Sequence, residues 1–456
     1  MNMVSSNLLV SQFFVLLVTH LNAAALAFQN VGCERFHPTS TSLSFASLES
    51  KTAVDISEDS PRDIATFDEW ARNCGIQRCD GFQLTRTSHD GMDDVAVTTN
   101  QNLPGNSPIL FVPNELIWTG SKTRVTLGVL EAAEEQLIKN DSQDRLPHFY
   151  LFVNLLKEYE MGQESFWYPW LKSLPRLYCN GASMTDFCLG CLPPYAASLA
   201  RQEKRMFHQF LSALGLVPFF DNSEIKKNKD LAKWAFSVVN IRSMELPNGD
   251  VSMAPMVDMF TYGSQPDAYI TFDEQSNACA YAAYDIPAGC TLRVSQQSDT
   301  TNPSKMLARY GCFDDTTPAQ FCKLIIEDPS PELIQLGYDP SRMLFYQTGD
   351  IAQEVWDVML FKHLEASNCL EEQRFLYQAH MTGDVATKHQ LHQRYFPQTL
   401  EALKRHVSDL LLELEELSET SWRKTSRHPR HPLLLRHNEF VRDTFKRVKE
   451  KLETMG

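Results

Sequence analysis

The chain has 456 residues and a formal net charge of −15, from 57 Asp and Glu against 42 Lys and Arg. A surface this acidic argues against nucleic acid as the main partner. Hydrophobic residues make up 43% and charged residues 22%, the balance of a globular protein with a sizeable core, and the length suits two or three domains.

Residues 8–28, LLVSQFFVLLVTHLNAAALAF, open apolar and close on small residues. The apolar run is short for a membrane span and has the length of a signal-peptide core, with AAALA as a small-residue cleavage site. The following stretch is rich in Ser and Thr and holds little acid before Glu49, a transit-peptide composition. This order, with Phe28 at the joint, resembles the bipartite plastid presequence of algae with secondary red plastids. Plastid delivery is therefore expected, with the secretory pathway as the alternative. Residues 1–60 are set aside as presequence. The eleven cysteines are scattered without framework spacing, which fits reduced thiols better than a disulfide scaffold. Cys188 and Cys191 form a lone close pair with no second ligand pair at zinc spacing, so a packing role is expected.

In the mature chain, TFDEWARNCGI predicts a short helix capped at Thr66, with Glu69 three residues on and Phe67, Trp70, Ala71 and Cys74 on one face. DDVAVTTN and SPILFVPNELI read as two strands around a turn at Leu103-Pro104-Gly105. From residue 127 to 159 the pattern is helical, with Phe149, Phe152, Val153, Leu155 and Leu156 as a broad buried stripe. Further helices are predicted over 194–214 and 230–239. Strand-like segments return at MAPMVDMF, DAYITFD, ACAYAAYDI and TLRVSQQ. In the last third Leu400, Leu403, Val407, Leu410, Leu414 and Leu417 repeat at a/d spacing over fewer than about three heptads, which favours a bundle helix over a coiled coil. Val441, Phe445, Val448 and Leu452 mark a final amphipathic helix. Arg430, Arg436, Arg442, Lys446 and Lys451 belong to a basic end, read either as a solvated face or as a docking face for an acidic partner.

Four blocks in order are distinctive: AVTTNQNLPGNSPILFVPNELI, LFVNLLKEYEMGQESFWYPWLKSLP, WAFSVVNIRS and YDIPAGCTLRVSQQSDTTNPSKMLARYGCF. Together they resemble the SET-domain branch typified by the Rubisco large-subunit lysine methyltransferase. The resemblance implies an α+β fold: a SET-type β-fold with a helical insert and a threaded segment, followed by an all-α domain that holds the protein substrate. The implied boundaries are 61–126 and 236–315 for the two SET parts, 127–235 for the insert and 316–456 for the helical domain. It also implies S-adenosylmethionine as methyl donor and a protein lysine as acceptor, histidine being the acceptor in some relatives.

Carried over by motif, the cofactor positions are Gly91, Arg242, Asp258, Thr261 and Tyr262, and the channel positions are Tyr269, Tyr310 and Gln296, or Gln297 in an ungapped match. Three of these depart from the family pattern. The second glycine of its Gly-x-Gly is Asp93, its Asn-His pair is Thr261-Tyr262, and its catalytic tyrosine falls on Gln296 or Gln297. Two functions stay open on this reading: a methyltransferase with a rebuilt cofactor site, or a SET scaffold that grasps a protein partner without methylating it.

Overall fold

The computed structural model describes residues 53–89, 92–263, 265–295, 302–314, 320–322, 326, 329–339, 342–424 and 428–456. The β-structure is a set of small, mostly antiparallel sheets. Four strands, Gln77–Arg78, Pro108–Val112, Ala278–Ala282 and Ala268–Phe272, form one sheet in that spatial order. Phe82–His89 pairs with Met92–Thr99 as a hairpin, with Thr87 opposite Asp94. The two strands read around the Leu103-Pro104-Gly105 turn are not paired with each other. Both strands exist, but each pairs elsewhere. Asp90-Gly91, a strong two-residue turn signal, lies between the strands that do pair.

Further corrections have local causes. Helix Ile64–Asn73 is capped by Asp63, whose carboxylate accepts from the Thr66 amide at 3.1 Å, so Thr66 lies inside the first turn. The long helical run breaks into Glu131–Lys139 and Leu146–Met161, because Asn140-Asp141-Ser142 favours a turn and Asp141 takes φ 54°. MAPMVDMF is not one strand. Val251–Met253 is a strand, Pro255 has no amide hydrogen for a ladder, and Met256 at φ 69° turns the chain into a single 3₁₀ turn, Val257–Met259. Of TLRVSQQ only Arg293–Val294 is described as strand, parallel to Thr261–Tyr262.

The helices between the two β-rich parts build much of the core. Leu146–Met161 is apolar on nearly every face, and His148 through Leu156 are all buried, so this helix runs through the interior. The 194–214 expectation matches helix Pro194–Leu214, and 230–239 extends to Lys229–Arg242. A second core joins helices Gln353–Ala366, Leu370–Thr382, Val385–Lys424 and His431–Thr454. Leu403 and Val407 are fully buried there, facing Val441, Phe445 and Val448 in a bundle.

A third cluster ties the two regions together. Cys188 and Cys191, both free thiols, pack with Ala196, Ala200, Met306, Leu307, Leu433 and Leu434. The last helix thus returns to the β-rich part. Its basic residues are largely answered within the chain. Arg430 pairs with Glu58 at 2.6 Å, Arg442 with Glu439 at 3.2 Å, Lys446 with Asp443 at 3.6 Å and Lys451 with Asp350. The Arg436 guanidinium lies 4.4 Å over the Phe313 ring. A docking face for an acidic partner therefore has less free charge than composition alone suggests. The Glu58 contact, with Val54 buried in the main core, also places residues 54–58 in the folded body. No helix among the described residues is long and apolar enough to cross a membrane.

Candidate functional site

One cavity of about 460 Å³ collects residues from several widely separated segments. Strand Met92–Thr99 supplies Asp94, Val95 and Ala96. The last turn of helix Lys229–Arg242 supplies Arg242, and the 3₁₀ turn supplies Asp258 and Met259. Thr261 and Tyr262 follow directly. The end of helix Pro303–Tyr310 gives Tyr310, and the last helix adds Leu433 and Arg436. The volume falls in the range of small-molecule sites, roughly 300 to 1,000 Å³.

The turn at Val257–Met259 exists because Pro255 and Met256 end the strand before it. Its burial presents Asp258 inward, 4% exposed. The indole of Trp170 donates to Asp258 Oδ2 at 2.9 Å, while Oδ1 is buried without a hydrogen-bond partner. Burial pushes the Asp258 carboxyl up to about 6, against the opposing pull of Arg242 and the Trp170 hydrogen bond. Trp170 belongs to the ESFWYPWLKSLP block, so that block's aromatic character has a direct consequence at the cavity wall.

Arg242 is 7% exposed and is held on two sides. Its Nη1 donates to the Asp258 carbonyl, and its Nη2 donates to both Asp94 oxygens, at 3.2 and 3.0 Å. Burial disfavours its charge, but Asp94, Tyr178, Asp258 and Tyr262 together outweigh it and raise its pKa, so it stays protonated. Arg62 reaches Asp94 from the other side and also donates to the Ser173 carbonyl at 2.6 Å. Asp94 thus bridges two arginines whose sequence positions lie far apart. Enclosure opposes ionisation of Asp94, yet Arg242 and Arg62 keep its carboxyl below the usual range. About half of its side-chain surface, 48%, stays open to the cavity.

Tyr262 donates its hydroxyl to the carbonyl of Ile241, another cavity-lining residue, at 3.0 Å. Its ring stands 5.8 Å from that of Tyr310. Thr261 donates to the Leu292 carbonyl at 3.3 Å. The buried Tyr178 hydroxyl, also at this cavity, has no hydrogen-bond partner, and burial raises its pKa.

The structure therefore brings Arg242, Asp258, Thr261, Tyr262 and Tyr310 to one place. Tyr269 does not join them. It stands on the outer part of strand Ala268–Phe272, 42% exposed, with its ring stacked on Tyr281 at 5.6 Å. Directly opposed tyrosines on paired strands explain that position. Gly91, Gln296 and Gln297 lie outside the described residues, and so does the side chain of Asp93. Sequence reasoning missed Asp94, Arg62 and Trp170. An acidic pair opening an otherwise apolar strand, DDVAV, was the available signal for Asp94. No cluster of three or more His, Cys, Asp or Glu among the described residues is arranged to hold a metal.

No family model and no curated protein matches the chain. Solved structures do. The SET domain of LSMT bound to lysine and AdoHcy aligns with 86% of this chain and 91% of its own, at 13% identity and a TM-score of 0.61. Rubisco LSMT bound to sinefungin and monomethyllysine aligns with 87% of this chain and 92% of its own, at 12% identity and the same TM-score, 0.61. Rubisco LSMT bound to AdoMet aligns over 87% and 92%, at 13% identity and a TM-score of 0.58. Over most of its length the chain has the SET-type fold of these structures, with helices at its C-terminal end.

Proposed function

We propose that the chain binds S-adenosylmethionine in the 460 Å³ cavity and serves as a SET-fold protein-lysine N-methyltransferase acting on a plastid protein. The observation that carries this reading is convergence. Arg242, Asp258, Thr261, Tyr262 and Tyr310 come from separate motif blocks and line one cavity on this fold. The fit is good in volume and in polar character. Asp258 Oδ1, Arg242 Nε and the Tyr178 hydroxyl are buried without protein partners, which suits a ligand with several donors and acceptors. It is poor at one point, since the Arg242 Nη groups are already occupied by Asp94 and the Asp258 carbonyl.

Bound there, the cofactor would supply a methyl group to a neutral lysine amine. The chain's own contributions are enclosure and orientation. Asp258 would accept from the ligand, with Trp170 and Arg242 fixing its position, and the Tyr262–Tyr310 pair would form an aromatic wall beside the amine's approach. The C-terminal bundle would hold the protein substrate. Exposed Leu370, Phe375, Met381 and Val385 support a protein-facing role for it. Plastid delivery rests on residues 1–60, of which the first 28 or so would be removed as a signal peptide. A fluorescent fusion of 1–60 that stays in the cytosol or is secreted would contradict it.

A second reading, a scaffold that binds a protein without methylating it, is favoured by the Asp94–Arg242 pair and by the engagement of the Tyr262 hydroxyl with the Ile241 carbonyl. Calorimetric titration of the full chain with S-adenosylmethionine separates the two. Saturable heat, with label transfer from the methyl-labelled cofactor into a plastid extract, supports the enzyme. Absence of binding at millimolar cofactor refutes it. The double replacement Thr261→Asn with Tyr262→His, run beside the native chain, shows whether the missing pair limits transfer.

A further inference from the structure

Asp94 is a half-open carboxylate fixed between two arginines in the wall of a ligand-sized cavity. Arg242 is almost wholly buried, and the Arg62 side chain is only 10% exposed. Guanidinium groups at such positions are stable only when something answers their charge. Here the answer comes from the chain itself. Arg242 gives both Asp94 oxygens a hydrogen bond through one nitrogen, and Arg62 gives Oδ1 a second partner. The Val95 amide adds another bond to Oδ1 at 2.7 Å. The carboxylate is therefore oriented by the strand backbone as well as by charge.

Among the described residues lining the cavity, the other arginines are already engaged. Arg293, on the same cavity, is engaged by Asp267 at 2.8 Å, and Arg436 is stacked on Phe313. A ligand carboxylate entering at the Arg242 wall would meet Asp94 first and be repelled, because like charges at contact distance are unfavourable.

We infer that Asp94 is a built-in substitute for a ligand carboxylate: it occupies the Arg62–Arg242 pair and sets the cavity to take an adenosyl ligand without benefit from an amino-acid tail. This deepens the cofactor reading and rests on it for the adenosyl part. The internal occupancy of the arginine pair stands on geometry alone. Asp94 is in this sense a specificity-determining residue. Its removal should turn a neutralised wall into a site for a small carboxylate.

The test uses the full chain, native and Asp94→Ala, with Asp94→Ser as a second truncating variant should the alanine form fold poorly. Formate is the first probe, since it has the size of the group that the alanine change deletes. Thermal melts are taken in rising formate against matched chloride. The expected result is a formate-dependent rise in melting temperature in the variant and none in the native chain. Equal formate response in a folded variant and the native chain overturns the inference.

The second probe is a pair of ligands, S-adenosylhomocysteine and 5′-methylthioadenosine, which share the thioadenosine and differ in the amino-acid tail. Titrations should give the two ligands affinities within about threefold in the native chain, and a preference of tenfold or more for S-adenosylhomocysteine in the variant. A tenfold preference in the native chain refutes the inference while leaving the cofactor reading intact. Formate rescue without binding of either adenosyl ligand refutes the cofactor reading while leaving the arginine-pair assignment intact.

Discussion

Replacing Asp258 by Asn should change how stability depends on pH. The Asp258 carboxyl stands at about 6 in the folded chain against 3.8 for an ordinary aspartate, with burial as the main cause. A raised folded value means the folded state holds the proton more tightly than the unfolded state does. The associated stability is complete below 3.8 and is lost as pH climbs through about 6. The difference, 6 − 3.8 = 2.2, corresponds to about 3 kcal/mol at 1.36 kcal/mol per unit.

An asparagine carries no such penalty at any pH, and its oxygen can still accept from the Trp170 indole. Its amide will change the hydrogen bonding of the pocket, but that offset is the same at every pH. The measurement is urea unfolding of both proteins, followed by tryptophan fluorescence, at intervals from pH 4 to pH 7.5 and low salt. Relative to native, the variant should gain about 2 kcal/mol between the two ends, most of it by pH 6.5, because part of the change has already occurred by pH 4. Two parallel curves, with a difference that stays flat across the range, would refute the idea that Asp258 is buried as a strained carboxyl.

Gly311 takes φ 70° at the end of helix Pro303–Tyr310, and a Cβ there would meet the Asn180 amide and the Cys179 carbonyl carbon at 2.7 Å. Gly311→Ala should therefore cost about 1 to 3 kcal/mol in denaturant unfolding and disturb the cavity beside Tyr310. Leu403→Ala should cost about 2 to 5 kcal/mol, since Leu403 is fully buried in the bundle. Leu412→Ala on the same helix should stay within about 0.5 kcal/mol, because Leu412 is 59% exposed. Tyr262→Phe removes the donor to the Ile241 carbonyl and should cost about 1 kcal/mol by the same assay. An unchanged midpoint for Tyr262→Phe would mean that this hydroxyl does not hold the wall.

The sequence alone determined what local periodicity can determine. Helix Pro194–Leu214 was legible from end to end, and the Leu400 to Leu414 stripe identified the buried face of the last-third helix, because a 3.6-residue repeat of apolar side chains has one economical conformation. The order of the motif blocks also pointed to the SET-type fold and to the residues that share the cavity. Strand pairing was not legible. Met92–Thr99 could have paired forward or backward, and only the closing of short loops and the burial of Val95 and Val97 selected the Phe82–His89 partner. The motif alone assigns Tyr269 to the channel, and only the strand pairing shows that it stacks on Tyr281 of the neighbouring strand. The site's electrostatics were the least visible of all. Arg62, Asp94 and Arg242 each look unremarkable as letters. Their charges matter because folding brings segments 32 and 148 residues apart into contact, with both guanidiniums buried and the carboxylate half-open. The strength of such a contact depends on burial, which is a property of the assembled core rather than of any stretch of chain.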